Sequence, residues 1–272
     1  EFSVLSGDPF GRGLGCWYAV DQNSSPLSTK LLSVGPKFTT MQREECVVVF
    51  AYFDNTHVTI RDMENDNIMW EGDLDSAEYF YRLENSPVPI VFSVEANRPV
   101  SAMSAGGVNG MYVPAFNGTF TGRDFMTYQH FWQSPSGPVV AQDIQVVPWE
   151  DETWVTITDL DNPADTVWRV FCRNRGEIKG TRVPLPGNTG RALYIHSDKA
   201  VSISQTEWAS YRSGAAFYMV RGIDPDGLGI GREYYLPIEQ SLTWPGNPTV
   251  YSRLHVIAFS DSTDVKVTRM PP

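Results

Sequence analysis

One short pattern occurs three times in this chain and limits what it can fold into more than any other feature. Residues 47–60 read VVVFAYFDNTHVTI, residues 144–157 read IQVVPWEDETWVTI and residues 254–267 read LHVIAFSDSTDVKV. Each copy has an apolar run, an Asp, a variable residue, a Thr, a second variable residue, and then Val followed two positions on by Ile or Val. That order spells strand, tight turn, strand. Asp54, Asp151 and Asp261 stand where a carboxylate can accept a backbone N–H two residues on, and Thr56, Thr153 and Thr263 begin the return strand with a β-branched side chain. In His57-Val58-Thr59-Ile60 and Trp154-Val155-Thr156-Ile157 the alternation puts Val and Ile on a core face and Thr on the other.

Two further markers keep their order around the hairpin. Gly35-Pro36-Lys37-Phe38, Gly122-Arg123-Asp124-Phe125 and Gly231-Arg232-Glu233-Tyr234 precede it, each a Gly, two intervening residues and an aromatic that can open a strand. Behind it, VEANRPVSAMSA (94–105) and IHSDKAVSISQT (195–206) share a polar turn, a basic residue and a Val-Ser strand. The third hairpin has no such strand downstream, but FSVLSG near the N-terminus resembles it. The expectation is an all-β chain of about three pseudo-repeats, 35–121, 122–221 and 230–272 completed by 1–20. The arrangement would be propeller-like or of several sandwiches, closed by the N-terminal strand. All 272 residues then form one β-rich unit, large enough to bury a core without disulfides.

Composition narrows the partners. With 32 acidic against 21 basic residues the formal charge is −11, which opposes the phosphate-driven contacts of nucleic-acid binding. No apolar run reaches the length of a membrane span. Cys16, Cys46 and Cys172 allow at most one disulfide, and without a Cys-x-x-Cys spacing they do not suggest zinc. Cys172, in the strand-like VWRVFC, reads as a buried thiol. Asn23-Ser24-Ser25 and Asn117-Gly118-Thr119 are sequons that would accept glycans on a secretory route.

The segments GREYYLP, AFSDSTDVKV and AYFDNTHVTI, with the FSVLSG strand ahead of Cys16, resemble the N-terminal domain of the IgGFc-binding protein family. In that family a Gly-x-Glu-aromatic strand, an Ala-x-x-Asp-x-Thr-x-Val-x-Ile hairpin and a Pro-Val-x-x-x-Ser-Gly strand recur. The resemblance implies a secreted or cell-surface binding or matrix module with no catalytic residues to carry across.

Candidate sites follow from residue type and position. The three hairpin aspartates read as structural, because equivalent turn carboxylates on separate copies do not converge. The variable positions beside them, His57, Trp154 and Asp264, are placed to face solvent. Trp132, Trp149, Trp208, Tyr211 and Trp244 lie in or beside loops, near acids that could bond sugar hydroxyls while the rings stack on sugar faces. These residues, with His57 and Trp154, form the candidate ligand surface; the competing reading is core or loop packing. Asp224 and Asp226 alternate ahead of Gly227, and Glu233 follows. The stretch is either an acidic turn or an oxygen-ligand site for calcium, with Leu228 where an EF-hand needs a further ligand. The four histidines have no metal spacing, and no Gly-x-Ser-x-Gly elbow occurs. The functional expectation is an extracellular adhesion or matrix module that recognises glycan or glycoprotein. The rivals are a carbohydrate-active enzyme, which needs two carboxylates roughly 5 to 9.5 Å apart, and a self-assembling structural subunit.

Overall fold

In the computed structural model of the chain, the residues described are 15–18, 27–35, 45–84, 90–106, 110–113, 119–129, 131–133, 139–141, 143–181, 190–206, 256–258 and 260–268. Among them every regular element is a strand, so the chain is all-β. Two seven-stranded sheets follow one another. The first, lobe one, holds β1 (Gly15–Tyr18), β2 (Ser28–Gly35), β3 (Glu45–Ala51), β4 (Thr56–Asp62), β5 (Asn67–Leu74), β6 (Tyr79–Glu84) and β7 (Ile90–Gly106). Lobe two repeats it with β8 (Gly110–Val113) and β9 (Gly122–Gln129), then, after the separate ribbon of β10 (Phe131–Gln133) and β11 (Val139–Ala141), with β12 (Asp143–Pro148), β13 (Thr153–Asp159), β14 (Thr166–Cys172), β15 (Lys179–Thr181) and β16 (Arg191–Thr206).

The long last strand organises each lobe. Ser93 of β7 faces Leu32 of β2 and also Arg61 of β4, and a strand has only two edges, so β2 and β4 flank it on opposite sides. Farther along, Ala105 faces both Cys16 of β1 and Cys46 of β3. The first half of β7 therefore sits in a leaf ordered β2-β7-β4-β5 and its second half in a leaf ordered β1-β7-β3-β6. Between the halves the register against β2 jumps from Lys30↔Glu95 to Ser28↔Val100, and in lobe two from Asp124↔His196 to Gly122↔Val201. The polar stretches Asn97-Arg98-Pro99 and Asp198-Lys199-Ala200 are thus corners within one bent strand, not turns between strands. Each lobe is a nearly closed, barrel-like sheet folded over its own core. Cys16 and Cys46 lie two strand spacings apart, roughly 9.6 Å, outside the Cα separation of a disulfide.

The cores correspond position by position. Val47, Val49, Val58, Ile60, Leu74, Val94 and Val100 of lobe one are matched by Ile144, Val146, Val155, Ile157, Cys172, Ile195 and Val201 of lobe two. Leu31 and Phe125 enter these cores from β2 and β9. That pairing corrects the Gly marker: Gly122 opens β9 opposite Val201, whereas the residue opposite Val100 is Ser28, and Gly35 closes β2 opposite Ile90. The apolar residue that reaches the core, rather than the Gly, sets the register.

The hairpin corner also differs from expectation in one respect. Asp54 accepts the Ser76 backbone N–H at 3.0 Å and Asp151 accepts that of Arg175 at 2.7 Å. The N–H two residues on belongs to Thr56 or Thr153, which face Leu74 and Cys172 in the ladder, so the carboxylates tie the corner to the loop ahead of β6 or β15. The turn is closed instead by Thr Oγ1, donating from Thr56 to the Phe53 carbonyl at 2.5 Å and from Thr153 to that of Glu150 at 2.8 Å. Asn55 and Glu152 take the left-handed conformation, with φ of 54° in both. The third copy of the pattern repeats the turn, with Thr263 Oγ1 on the Ser260 carbonyl at 2.6 Å and Ser262 at φ 57°, but its described residues, 256–258 and 260–268, form no strand.

The lobes meet through a smaller core. Leu32, Val91 and Met63 of lobe one pack with Val147, Trp149, Ile178 and Ala200 of lobe two. Trp149, expected from the sequence to be an exposed loop aromatic, is instead core: it donates its indole N–H to Ser202 Oγ at 3.0 Å, which satisfies the one polar atom of a side chain only 7% exposed. Gly176, at φ +76°, lies so close to Met63 that a Cβ there would sit 3.0 Å from the Met63 Cβ and Cε.

Candidate functional site

The outward face of the leaf built on β4 and β13 is where the lobes part company. Because β4 pairs with β5 in the register His57↔Asp73 and Thr59↔Glu71, both acids stand beside His57 on one face. Asp73 lies 2.8 Å from Nδ1 and Glu71 lies 3.1 Å from Nε2. Both ring nitrogens can donate only in the imidazolium form. The hydrogen bonds to Asp73 and then Glu71 accordingly raise its pKa above the ordinary 6.5. The backbone N–H of His57 is held by Asn97 Oδ1 at 2.8 Å.

In lobe two the same register pairs Trp154 with Phe171 and Thr156 with Arg169. Trp154 is 43% exposed, its ring centroid 5.0 Å from that of Phe171, and the Arg169 guanidinium lies over its indole at 4.6 Å. Its backbone N–H is held by Asp198 Oδ1 at 2.8 Å, as Asn97 holds His57. One backbone position thus presents a histidine between two carboxylates in lobe one and an aromatic pair with a cation in lobe two.

A second polar cluster lies on the adjoining row of lobe two. Asp124 accepts from Tyr194 Oη at 2.5 Å and contacts His196 Nδ1 at 2.7 Å. Burial works to raise the pKa of Asp124, but the Tyr194 and His196 hydrogen bonds and the nearby charges of His196 and Arg123 together carry it below the ordinary carboxylate value. Burial first, then the bond to Asp124, pushes the Tyr194 phenol up to about 12. In lobe one the corresponding pair is Lys30 and Glu95, again opposite in charge. At the end of the leaf Arg191 bonds Asp159 at 2.7 Å and Asp165 at 2.8 Å. Cys172 is buried, and burial raises its thiol to about 11, which removes it as a nucleophile at neutral pH.

Of the ligand residues read from the sequence, His57 and Trp154 occupy equivalent positions on different lobes and are not brought together. Trp132 lies on β10, facing Val140 of β11. Trp208, Tyr211, Trp244, the acids Asp224, Asp226 and Glu233, and the sequons at Asn23 and Asn117 lie outside the described residues. Among the described residues no group of three or more His, Cys, Asp or Glu is disposed to hold a metal ion. Sequence reasoning missed Glu71, Asp73, Arg169 and Phe171, whose proximity depends on strand register. Their signal is alternation in NIMWEGDL and TVWRVFC, which places them on the face opposite Leu74 and Cys172.

No family model matches the chain, and no curated protein matches it. Solved structures similar to it include a conserved protein of unknown function from Pseudomonas aeruginosa, 7% identical, with a TM-score of 0.25 over 66% of this chain and 82% of that one. A cupin 2 conserved barrel domain protein from Leptotrichia buccalis is 9% identical, with a TM-score of 0.18 over 75% and 91% of the two chains. An isomalto-dextranase from Arthrobacter globiformis complexed with panose is 11% identical, with a TM-score of 0.22 over 71% of this chain and 36% of that one. Likeness this slight carries no argument about fold or function.

Proposed function

We propose that the protein is a non-enzymatic extracellular binding module of the adhesion or matrix kind, with glycan or glycoprotein as its ligand and the Trp154 face of lobe two as its contact surface. The observation that supports this is the exposed indole flanked by Phe171 and Arg169 on a frame whose core positions are otherwise repeated. Indole and phenyl rings stack on the C–H faces of sugars, and a guanidinium donates to hydroxyls. Resemblance to the N-terminal domain of the IgGFc-binding protein family points the same way, toward a secreted or surface location. The same reading includes glycans at Asn23 and Asn117 and calcium at Asp224, Asp226 and Glu233. The rival carbohydrate-active enzyme needs two carboxylates free to act, while Glu71 and Asp73 are both engaged by His57.

Glycan-array binding followed by titration calorimetry on the best ligand tests the proposal. Trp154→Ala and Arg169→Ala are expected to weaken binding at least about tenfold, the loss of one to two kcal/mol of stacking and donor contact, and His57→Ala to leave it unchanged. A blank array, or binding indifferent to Trp154, would reject this ligand class.

A further inference from the structure

Among the described residues, the junction between the lobes leaves a matching half of itself unused at each end. Lobe two docks through Val147, Trp149, Ile178 and Ala200. Register gives their lobe-one counterparts as Phe50, Tyr52, Tyr79 and Pro99. The correspondence extends to hydrogen bonding, since the Tyr52 hydroxyl meets Ser101 Oγ at 3.0 Å just as the Trp149 indole meets Ser202 Oγ. Yet Phe50, Tyr52 and Tyr79 are 37, 51 and 62% exposed, and Phe53 beside them is exposed too. The Phe50 and Tyr79 rings, 5.9 Å apart, form one apolar surface. Scattered exposed aromatics need no explanation, but a contiguous set on a face that the sister lobe uses for packing does.

The receiving face is duplicated as well. Leu32, Val91 and Met63 correspond to Met126, Ala192 and Leu160, and the bond from the Met63 N–H to the Val91 carbonyl, 2.9 Å, recurs as Leu160 N–H to the Ala192 carbonyl at 3.1 Å. Met126, Leu160 and Ala192 are all left half-buried. Phe50 and Tyr79 are larger than Val147 and Ile178, while Ala192 is smaller than Val91, and Leu160, about equal to Met63 in volume, is shorter. Gly176 leaves room for Met63; the counterparts of these two residues are Ala77, at φ 68°, and Leu160, which lacks the Met63 Cε.

We propose that the Phe50–Tyr52–Tyr79 face of lobe one docks the Met126–Leu160–Ala192 face of a second copy of this chain, head to tail, repeating between molecules the junction seen within one. Such a contact is heterologous, so each added copy leaves both faces available until a ring closes or a filament grows.

Sedimentation velocity across a wide concentration range, on the unaltered chain and four variants, tests it. The unaltered chain is expected to enlarge with concentration, while Tyr79→Glu and Leu160→Gln each remain monomeric with unchanged near-ultraviolet circular dichroism. Phe50→Glu and Ala192→Arg provide a second variant for each face. Mixing a lobe-one variant with a lobe-two variant restores one good pair of faces, so the mixture should form a heterodimer and stop there. An unaltered chain that is monomeric at every concentration overturns the proposal, as does assembly that ignores both variants. A monomer whose Tyr52 and Tyr79 resist chemical modification also overturns it, because the face is then covered by the chain itself.

Discussion

At the scale of single residues, the divergence between lobes lies in side chains that share a backbone position and differ in chemistry. His57 is the clearest case, because its state follows from two neighbours. Hydrogen bonding to Asp73 and Glu71 raises its pKa, so its stabilising contribution is complete below pH 6.5 and is lost as pH rises through the higher folded-state value. Proton NMR titration should place the His57 midpoint above 6.5, and Asp73→Asn should lower it further than Glu71→Gln. A midpoint at or below 6.5 would show that the two carboxylates do not hold the ring. None of this was legible in the sequence, where His57 is simply a variable residue after Thr56. Its partners lie 14 and 16 residues away on another strand, and only the bulged register of β4 on β5 brings them alongside.

At the scale of elements, the hairpin and its return strand were legible because alternation and turn chemistry act locally. Thr56-Val58-Ile60 and Thr153-Val155-Ile157 are all buried, as a two-residue period requires. The aspartate's partner was not legible, since it is the backbone of a loop 22 or 24 residues downstream. The continuity of β7 and β16 was hidden too: Asn97-Arg98-Pro99 has every residue-type signal of a chain reversal, but both flanking halves gain two paired edges by continuing. The corner tie is open to measurement. Asp151→Ala removes the acceptor of the Arg175 N–H and should cost about 0.5 to 1.5 kcal/mol in urea unfolding, with Asp151→Asn near parity because an amide oxygen still accepts. Equal stability of all three proteins would mean that water replaces the tie without loss.

At the scale of the whole molecule, equivalent residues should carry unequal weight. Trp149→Ala empties the junction core and removes the indole donor to Ser202, which keeps only Thr121 Oγ1 at 3.3 Å, a loss of about 3 to 5 kcal/mol. Tyr52→Ala, at the exposed counterpart, should cost less than about 1 kcal/mol in dilute solution. Chemical denaturation of both variants would detect the contrast, and similar losses would argue that the two faces are used alike within one chain. The long closing strand has a further consequence, for the order of events during synthesis. β7 is the last strand of its lobe to be made, yet β1, β2, β3 and β4 all pair with it. Until residue 106 has left the ribosome those strands lack their common partner. The lobe therefore cannot mature gradually, strand by strand. Before then only the pairings β4 with β5 and β3 with β6 can form; the leaves join in one late step of high contact order, and the same delay recurs about a hundred residues later when β16 emerges.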